Sequence, residues 1–394
     1  MRCLWLTLAN PEPRHNGQYV YSGGLIDAVT ATGAQIEVLG LARLGDTSHH
    51  GRWDGSVRWW LAEPHSRPSW TSLMSSLPHI ADRGWTPELR KMLKERLEAD
   101  RWDVIVFDGI SAAWALDPVL RHYRNGRRPK IVYVSHNHEA SVRRGIARSQ
   151  THILKRQALA YDAAKAGILE RRLVWAADLI TAITPEDRDL YLKDRPDVRI
   201  EVITPGYDGF RLAERRITEA LPRRAIIVGS FDWIAKRMNL EEFVAVADPL
   251  FAAHGAELQV VGSADETFLE RLRPQVKATT FTGTVPDVDG FMREARIALV
   301  PERHGGGFKL KVLDYVFNRM PILALNGSVA GVPLQNEESI LLYPNHEALA
   351  RGVLRVIDDF DRLNSLQDRA FDACNSYFDW TSRGHQLVKA VGSL

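Results

Sequence analysis

Residues 297–325 read IALVPERHGGGFKLKVLDYVFNRMPILAL, and this stretch decides the fold. The apolar run Ile297–Val300 predicts a short buried strand, which ends at Pro301. Three consecutive glycines then mark the start of a helix, and a Met-Pro pair ends it. The run Ile322–Leu325 predicts the next strand. A strand, a helix and a second strand in this order form one unit of a parallel α/β sheet.

The turn between the first strand and the helix has the features of an anion site. Gly305, Gly306 and Gly307 let a backbone approach a ligand closely, and the free N–H groups that open a helix favour an anion. Lys309 and Lys311 are expected in the first helical turn, where a lysine opposes the helix dipole unless a phosphate is bound. From these residues alone, a nucleotide-phosphate site and a plain glycine-rich turn with a solvated basic face are equally good interpretations.

Length and composition limit the class of protein. A chain of 394 residues exceeds one ordinary core, so two domains are the default. The 51 basic and 49 acidic residues leave a formal net charge of +2, which argues against a dedicated nucleic-acid-binding protein. Cys3 and Cys374 allow no disulfide framework or zinc site and indicate a reducing compartment.

The chain shows no pattern for export or for crossing a membrane. Its first residues, MRCLWLTLAN, do not fit a secretory signal, because polar residues interrupt the apolar run too early. No apolar run approaches the roughly 20 residues that a transmembrane helix needs. We therefore expect a cytoplasmic protein, with membrane contact only of the peripheral kind.

The first half of the chain alternates predicted strands and helices. Strands are expected at Arg2–Ala9 and Gln35–Leu41 with a helix between them, which is the start of a parallel sheet. The loop before that helix contains Gly17 and would bring backbone N–H groups near a ligand. The sequence G-x-G-x-x-G does not follow the first strand, so the dinucleotide-binding fingerprint is absent.

A second site signal follows the predicted strand Lys130–Val134, which runs directly into Ser135-His136-Asn137-His138-Glu139. Polar residues at the carboxyl end of a parallel strand lie where open α/β sheets bind ligands. His136 and His138 lack a clear third metal ligand, so metal binding is weakly supported. It is an equally good interpretation that one of these two histidines is structural, the other is exposed, and neither has a functional role.

Two further segments allow both a functional and a structural interpretation. Residues 46–87 contain five of the eleven tryptophans, which either suit a sugar or membrane surface or simply cover the edge of the core. The predicted helical segment 139–177 contains three basic pairs, which either face anionic lipid or form a solvated surface. The pairs are Arg143-Arg144, Lys155-Arg156 and Arg171-Arg172.

The second half of the chain begins the alternation again. A strand is expected at residues 225–228, ending in Gly229, and Lys236 and Arg237 are expected just before a helix at residues 239–253. Each predicted strand here ends in glycine or small polar residues, so their carboxyl ends would line one edge of a cleft. We expect a first domain over residues 1–205, a linker over 206–222, a second domain over 223–376, and a last helix within 377–394 that returns to the first domain.

These features together resemble a glycosyltransferase of the GT-B fold, which has two Rossmann-like domains facing each other across a cleft. More narrowly, the chain is similar to glycosyltransferase family 4, the retaining enzymes that use nucleotide-sugars, and to its branch for bacterial exopolysaccharide and surface glycans. Besides the loop at residues 10–24, the resemblance is carried by VYVSHNHE (132–139), ERRLVWAADLITAITPED (170–187), VITPGYD (202–208), VGSFDWIAKRMN (228–239) and PERHGGGFKLKVLDYVFNRMPIL (301–323).

The resemblance implies a role for each candidate residue. The first domain would hold the acceptor, a glycan or lipid-linked molecule, and the second would hold a UDP- or GDP-sugar. Lys236, Arg237 and Lys311 would stabilise the negative charge on the leaving diphosphate, and Asp314 would accept hydrogen bonds from the ribose. The implied catalytic set is His136, Lys236 and Lys311, and the donor-binding set is Gly17, Gly229, Arg237, Gly305, Gly306, Gly307, Phe308 and Asp314. No metal or other cofactor is implied.

The sequence departs from the family pattern at one position. The family's common motif is a glutamate, seven residues and a second glutamate; Asp314 stands at the second position and Gly306 at the first. Glu302 is too far upstream to be a simple substitute, so backbone amides of residues 305–308 would take over the contact with the donor. A nucleotide-sugar 2-epimerase on the same fold and a non-catalytic protein that binds nucleotide-sugars are the alternatives.

Overall fold

The computed structural model describes residues 1–14, 16–43, 50–65, 68–150, 152–303 and 307–394. The chain divides into two compact units, one of residues 1–206 with 379–394 and one of residues 207–378. Each unit is built on its own α/β sheet, which confirms the predicted fold class.

The first unit follows the expected alternation of strands and helices. Its elements up to residue 206 are β1 (Arg2–Ala9), α1 (Gly17–Thr30), β2 (Gln35–Leu41), β3 (His50–Asp54), β4 (Val57–Ala62), α2 (His79–Asp82), α3 (Pro87–Ala99), β5 (Val104–Asp108), α4 (Leu116–His122), β6 (Lys130–Val134), α5 (Glu139–Arg148), α6 (Ile153–Ala176), β7 (Leu179–Ala182), α7 (Pro185–Asp194) and β8 (Arg199–Val202). The strand order is β3-β4-β2-β1-β5-β6-β7-β8, and only β3 runs antiparallel to its neighbour.

The second unit has a smaller, wholly parallel sheet. Its elements are β9 (Arg224–Val228), α8 (Ile234–His254), β10 (Glu257–Val261), α9 (Glu266–Leu272), β11 (Thr279–Gly283), α10 (Asp289–Arg293), β12 (Ile297–Val300), α11 (Leu310–Phe317), β13 (Ile322–Leu325), β14 (Leu341–Tyr343), α12 (His346–Val356) and α13 (Phe360–Cys374), and the chain ends in α14 (Trp380–Gly392). The strand order is β11-β10-β9-β12-β13-β14. Strands β12 and β13 are buried at every residue, as strands covered by helices on both faces must be.

The local sequence explains where several helices begin. The side chain of Asn16 accepts a hydrogen bond from the Tyr19 N–H and caps α1. Thr86 and Thr184 cap α3 and α7 in the same way, and each is followed by a proline at the first helical position. None of the helices in the described ranges combines the length and the apolarity that crossing a bilayer requires.

Residues 207–222 pack on the second unit. The Leu212 N–H donates to the Phe317 carbonyl at 2.8 Å, and the N–H of the buried Ile217 donates to the Asn364 side chain at 2.9 Å. The last helix, α14, instead packs tightly on α1 of the first unit. A Cβ at Gly24 would lie 2.3 Å from the Trp380 ring, so only glycine allows this approach.

Candidate functional site

Four charged residues form a cluster in the second unit. Glu302, Lys309 and Lys311 follow β12, and Lys236 lies at the start of α8. Lys311 Nζ lies 2.5 Å from Glu302 Oε1, and the two side chains are only 14% and 10% exposed. The other carboxylate oxygen, Oε2, is buried and has no hydrogen-bond partner in the described part of the chain. One oxygen of Glu302 therefore holds Lys311 while the second is left for another donor.

The lysines and the glutamate of the cluster shift one another's pKa values. Burial raises the pKa of Glu302, but Lys311, Lys309 and Lys236 outweigh it and hold that pKa below its usual range. Burial lowers the pKa of Lys236, and the charge of Lys311 lowers it further while Glu302 opposes the shift. Lys236, Lys309 and Lys311 thus place positive charge around one buried carboxylate, which suits the binding of an anion.

The first turn of α8 supplies Lys236 and Arg237. The prediction that both residues precede the helix is wrong, because α8 begins at Ile234. Arg237 Nη2 donates to the Asp232 carbonyl at 2.8 Å, and Arg237 Nε is buried without a partner in the described residues. The first turn contains no acidic residue, so its N–H groups and both cations favour an anion here.

The turn after β9 is held in place by packing against the end of β10. The Asp232 carboxylate accepts from Ser230 Oγ at 2.6 Å and from Ser263 Oγ at 2.9 Å, which ties the two strand ends together. Gly262 has a φ of +133°, and a Cβ there would lie 1.7 Å from the Gly229 carbonyl oxygen. Gly229 itself has room for a Cβ, so in this pair the structure requires glycine only at position 262.

The glycine-rich turn differs from the sequence prediction in where its helix begins. A helix start at residues 306–308 was predicted, but α11 begins at Leu310, with Gly307 in the left-handed region at a φ of +71°. The Phe308 ring packs on Phe378 at 5.7 Å between centroids, so this side chain is held in the core. Gly305 and Gly306 lie outside the described residues.

Asp314 has a separate environment from the lysines. Burial raises the pKa of its carboxyl to about 6; a hydrogen bond with Tyr207 lowers it, and the charge of Asp289 raises it. A partly protonated carboxyl near neutral pH is unusual and marks a group that an incoming hydrogen-bond donor would stabilise in its ionised form.

In the first unit, the strand ends bring His136 against Asp108. His136 Nε2 lies 2.6 Å from Asp108 Oδ1, and Trp5 Nε1 donates to Asp108 Oδ2 at 3.0 Å. Asp108 is fully buried and the His136 side chain is 11% exposed, with its ring edge-on to Tyr21. The carboxylate therefore fixes the imidazole and leaves Nδ1 as the nitrogen for a ligand. Asp108 is not among the predicted site residues, although its place at the end of a strand was a signal.

His138, two residues further on, is part of the interior. Its Nδ1 lies 2.7 Å from Ser141 Oγ, its ring packs on Tyr191, and its N–H donates to Asp187 at 3.1 Å. Burial and these contacts explain its position without a ligand. His136 and not His138 is thus the histidine that the fold presents at the sheet edge.

Gly17 is the first residue of α1 and follows the capping residue Asn16. Of the five tryptophans in residues 46–87, the side chains of three are described, and all three contact the core or its edge. Trp59 is buried, Trp60 lies under the Arg96 guanidinium at 4.0 Å, and Trp85 packs on Trp114. These three rings therefore follow the structural interpretation.

Among the described residues, no three histidine, cysteine or acidic side chains are close enough together to bind a metal ion.

Family models match both units. The model "Glycosyl transferase 4-like domain" matches residues 16–206, and "Glycosyl transferases group 1" matches residues 222–359. A search of curated protein sequences gives no match.

Several solved structures have a similar fold, and their alignments cover the whole of this chain. A sucrose-phosphate synthase from Thermosynechococcus elongatus has a TM-score of 0.73 at 16% identity, covering 100% of this chain and 98% of that one. HepE of Anabaena, solved with UDP and glucose, has a TM-score of 0.63 at 16% identity, with both chains covered completely. The lipopolysaccharide outer core galactosyltransferase WaaB has a TM-score of 0.62 at 11% identity, with 100% and 99% covered. At these identities the likeness shows the fold alone.

Proposed function

Since the chain is a glycosyltransferase of the GT-B type, with a 4-like domain followed by a group 1 domain, we propose that it moves a sugar from a nucleotide-sugar to a glycan or lipid-linked acceptor. The observation that carries this proposal is the buried Glu302–Lys311 pair with Lys236 and Arg237 at the start of α8. A nucleoside diphosphate is an anion that these cations and the helix start would bind. HepE was solved with UDP and with UDP-glucose, which makes a UDP-sugar the first donor to test.

The cluster would act on the leaving group. When the bond between the sugar C1 and the phosphate oxygen breaks, negative charge grows on the diphosphate, and Lys236, Arg237 and Lys311 stabilise it. The amide groups at the start of α8 add further donors. Glu302 keeps Lys311 in place through the 2.5 Å contact, so Lys311 needs no rearrangement during the reaction.

The family resemblance assigns Asp314 to the ribose and His136 to the donor sugar. The ribose hydroxyls donate to Asp314, whose pKa of about 6 leaves most of it ionised at pH 7. His136, oriented by Asp108, hydrogen-bonds the donor sugar through Nδ1. Gly17 and Gly229 allow backbone to approach the diphosphate, and residues 305–308 supply amide groups, as the family resemblance implies.

We propose that the reaction retains the configuration at C1, which rests on the resemblance to family 4. The acceptor oxygen then attacks from the side that the diphosphate leaves, and a phosphate oxygen takes the acceptor's proton. The resemblance also supports a role in bacterial surface polysaccharide synthesis. A lipid-linked acceptor would bring the protein into peripheral contact with an anionic membrane.

A donor screen tests the proposal. UDP- and GDP-sugars are added to the full chain, and binding is measured by calorimetry and turnover by released nucleotide. We expect at least one UDP- or GDP-sugar to bind, Lys311→Met to weaken it by tenfold or more, and Lys277→Met, an exposed lysine of the same unit, to leave it unchanged.

The other outcomes decide between the alternatives. Failure of every donor to bind would refute the proposal. Binding without turnover on lipid-linked acceptors would favour a non-catalytic protein, and an epimerised sugar formed without any acceptor would favour a 2-epimerase. The anomeric configuration of the product, read by NMR, tests retention.

A further inference from the structure

Helix α6 has a row of large apolar side chains on its solvent side. Leu154, Tyr161, Ile168 and Trp175 follow one another at intervals of seven residues, which is two helical turns, so they share one side of the helix. Each of them is between 53% and 71% exposed. At 1.5 Å per residue the row is about 30 Å long.

This row is not the side by which α6 packs on its own unit. Ala166, Leu169 and Leu173 are buried in the core of the first unit and lie on the other side of the helix. A helix that is apolar on both sides is typical of one that lies between two surfaces, and the described residues supply only one of them. An exposed apolar row of this length marks an interaction site.

A neighbouring turn extends the apolar surface. Met74 is 86% exposed and Leu73 is 41% exposed. Lys165 of α6 donates through Nζ to the carbonyls of Ser72 and Ser75 at 2.6 and 3.2 Å, and lies over the Tyr161 ring at 4.9 Å. The turn is thereby fixed beside the row, and its two apolar side chains project next to it.

The charges that α5 and α6 themselves expose are all positive, and one of them, Arg172, pairs with the exposed Asp117 of α4. The three acidic residues of α5 and α6 are neutralised or buried: Glu139 and Asp162 pair with Arg143 at 2.8 and 3.1 Å, and Glu170 is buried. The charged residues that α5 and α6 expose are Arg144, Arg148, Lys155, Arg156, Arg171 and Arg172. The surface therefore combines apolar and aromatic side chains with cations.

We propose that this outer face of α6, with Leu73 and Met74, docks on an anionic bilayer. Tyrosine and tryptophan prefer the interface between headgroups and acyl chains, and basic residues beside them attract anionic lipid. A second copy of the chain is the alternative occupant, and the oligomeric state of the variants below tests it.

The docking face deepens the proposed function, because it places the candidate site near a membrane-bound acceptor. Helix α5 begins at Glu139, three residues after His136, so the α5–α6 hairpin rises from the sheet edge that presents His136. This link to the acceptor rests on the proposed function. The binding of lipid does not depend on it and is tested without any sugar.

Vesicle flotation of the full chain tests the docking face. Vesicles of phosphatidylcholine with 30% phosphatidylglycerol, about that fraction being ample for a negative surface potential, are compared with pure phosphatidylcholine. We expect the chain to float with the anionic vesicles only. The variant Arg171→Gln removes an exposed cation one turn from both Ile168 and Trp175 and should bind them about fivefold more weakly. Leu154→Ser/Ile168→Ser should bind at least tenfold more weakly.

Controls separate docking from folding and from the proposed function. Lys91→Gln/Lys94→Gln removes two exposed lysines from α3 of the same unit and should float as the native chain does. Equal binding of the native chain to both vesicle types, or unchanged binding of the α6 variants, would overturn the proposal. A stable dimer that Leu154→Ser dissociates, with no vesicle binding, would assign the face to a second copy. Vesicle binding by a chain that accepts no nucleotide-sugar would leave the docking face standing while the proposed function fails.

Discussion

The contact between Glu302 and Lys311 gives the sharpest test of the candidate site. Both side chains are nearly buried, and removing one partner of a buried ion pair costs about 3–5 kcal/mol. In Lys311→Met, Glu302 still feels Lys309 and Lys236, so we expect the lower end, about 3 kcal/mol. For a unit of 150–250 residues this corresponds to a fall in Tm of about 6–12 °C.

The two single variants should differ in their effect on ligand binding. Lys311→Met loses stability and also a cation that faces the diphosphate, so nucleotide affinity falls. Glu302→Gln loses stability, because three lysines then repel one another, yet it leaves every cation in place. We therefore expect Glu302→Gln to be destabilised by about 2–3 kcal/mol while it binds UDP at least as tightly as the native chain.

The double variant completes the cycle. Residues in direct contact couple by about 0.5–3 kcal/mol, so Lys311→Met/Glu302→Gln should be at least 1 kcal/mol more stable than the sum of the single losses. Denaturant unfolding and calorimetry of the full chain measure stability, and titration calorimetry measures UDP affinity. Additive losses, or a Glu302→Gln variant that no longer binds UDP, would contradict the assigned contact.

Three further predictions concern single positions. The pKa of the Asp314 carboxyl is raised to about 6, so the folded chain binds that proton more tightly than the unfolded chain does, and the contribution to stability is lost as the pH rises through 6. Because ribose would bind the ionised form, affinity for UDP-glucose should fall roughly tenfold per pH unit below 6, and Asp314→Asn should make it independent of pH; an unchanged pH profile in that variant would exclude Asp314. Gly262→Ala places a Cβ 1.7 Å from the Gly229 carbonyl oxygen and should cost about 3 kcal/mol or more, whereas Gly229→Ala, with no atom closer than 3.7 Å, should unfold nearly as the native chain does. Asp108→Asn should reduce kcat about 10–100-fold by releasing the His136 ring, with UDP affinity unchanged; equal kcat values would show that the imidazole needs no orienting group.

The elements of the fold could be predicted because buried parallel strands are short continuous apolar runs. Strands β1, β2, β6, β12 and β13 occur where those runs predicted them, with Gly, Pro or polar residues at their ends. Helix starts were less predictable. The pattern predicts a helix from residue 239, but α8 already begins at Ile234, since no single residue at positions 234–238 stops a helix.

The sequence by itself determined the α/β alternation, the group of residues at the strand ends and the resemblance to family 4. It could not determine which side chains meet, because contacts across a turn or between strands depend on the path of the chain and on sheet register. Glu302 was set aside for its spacing, yet its side chain pairs with Lys311. Asp108 meets His136 because it lies opposite Val134 in the β5–β6 register. The apolar residues at intervals of seven along α6 can be recognised in the sequence. Only the packing of the helix decided that this side of it stays exposed to water.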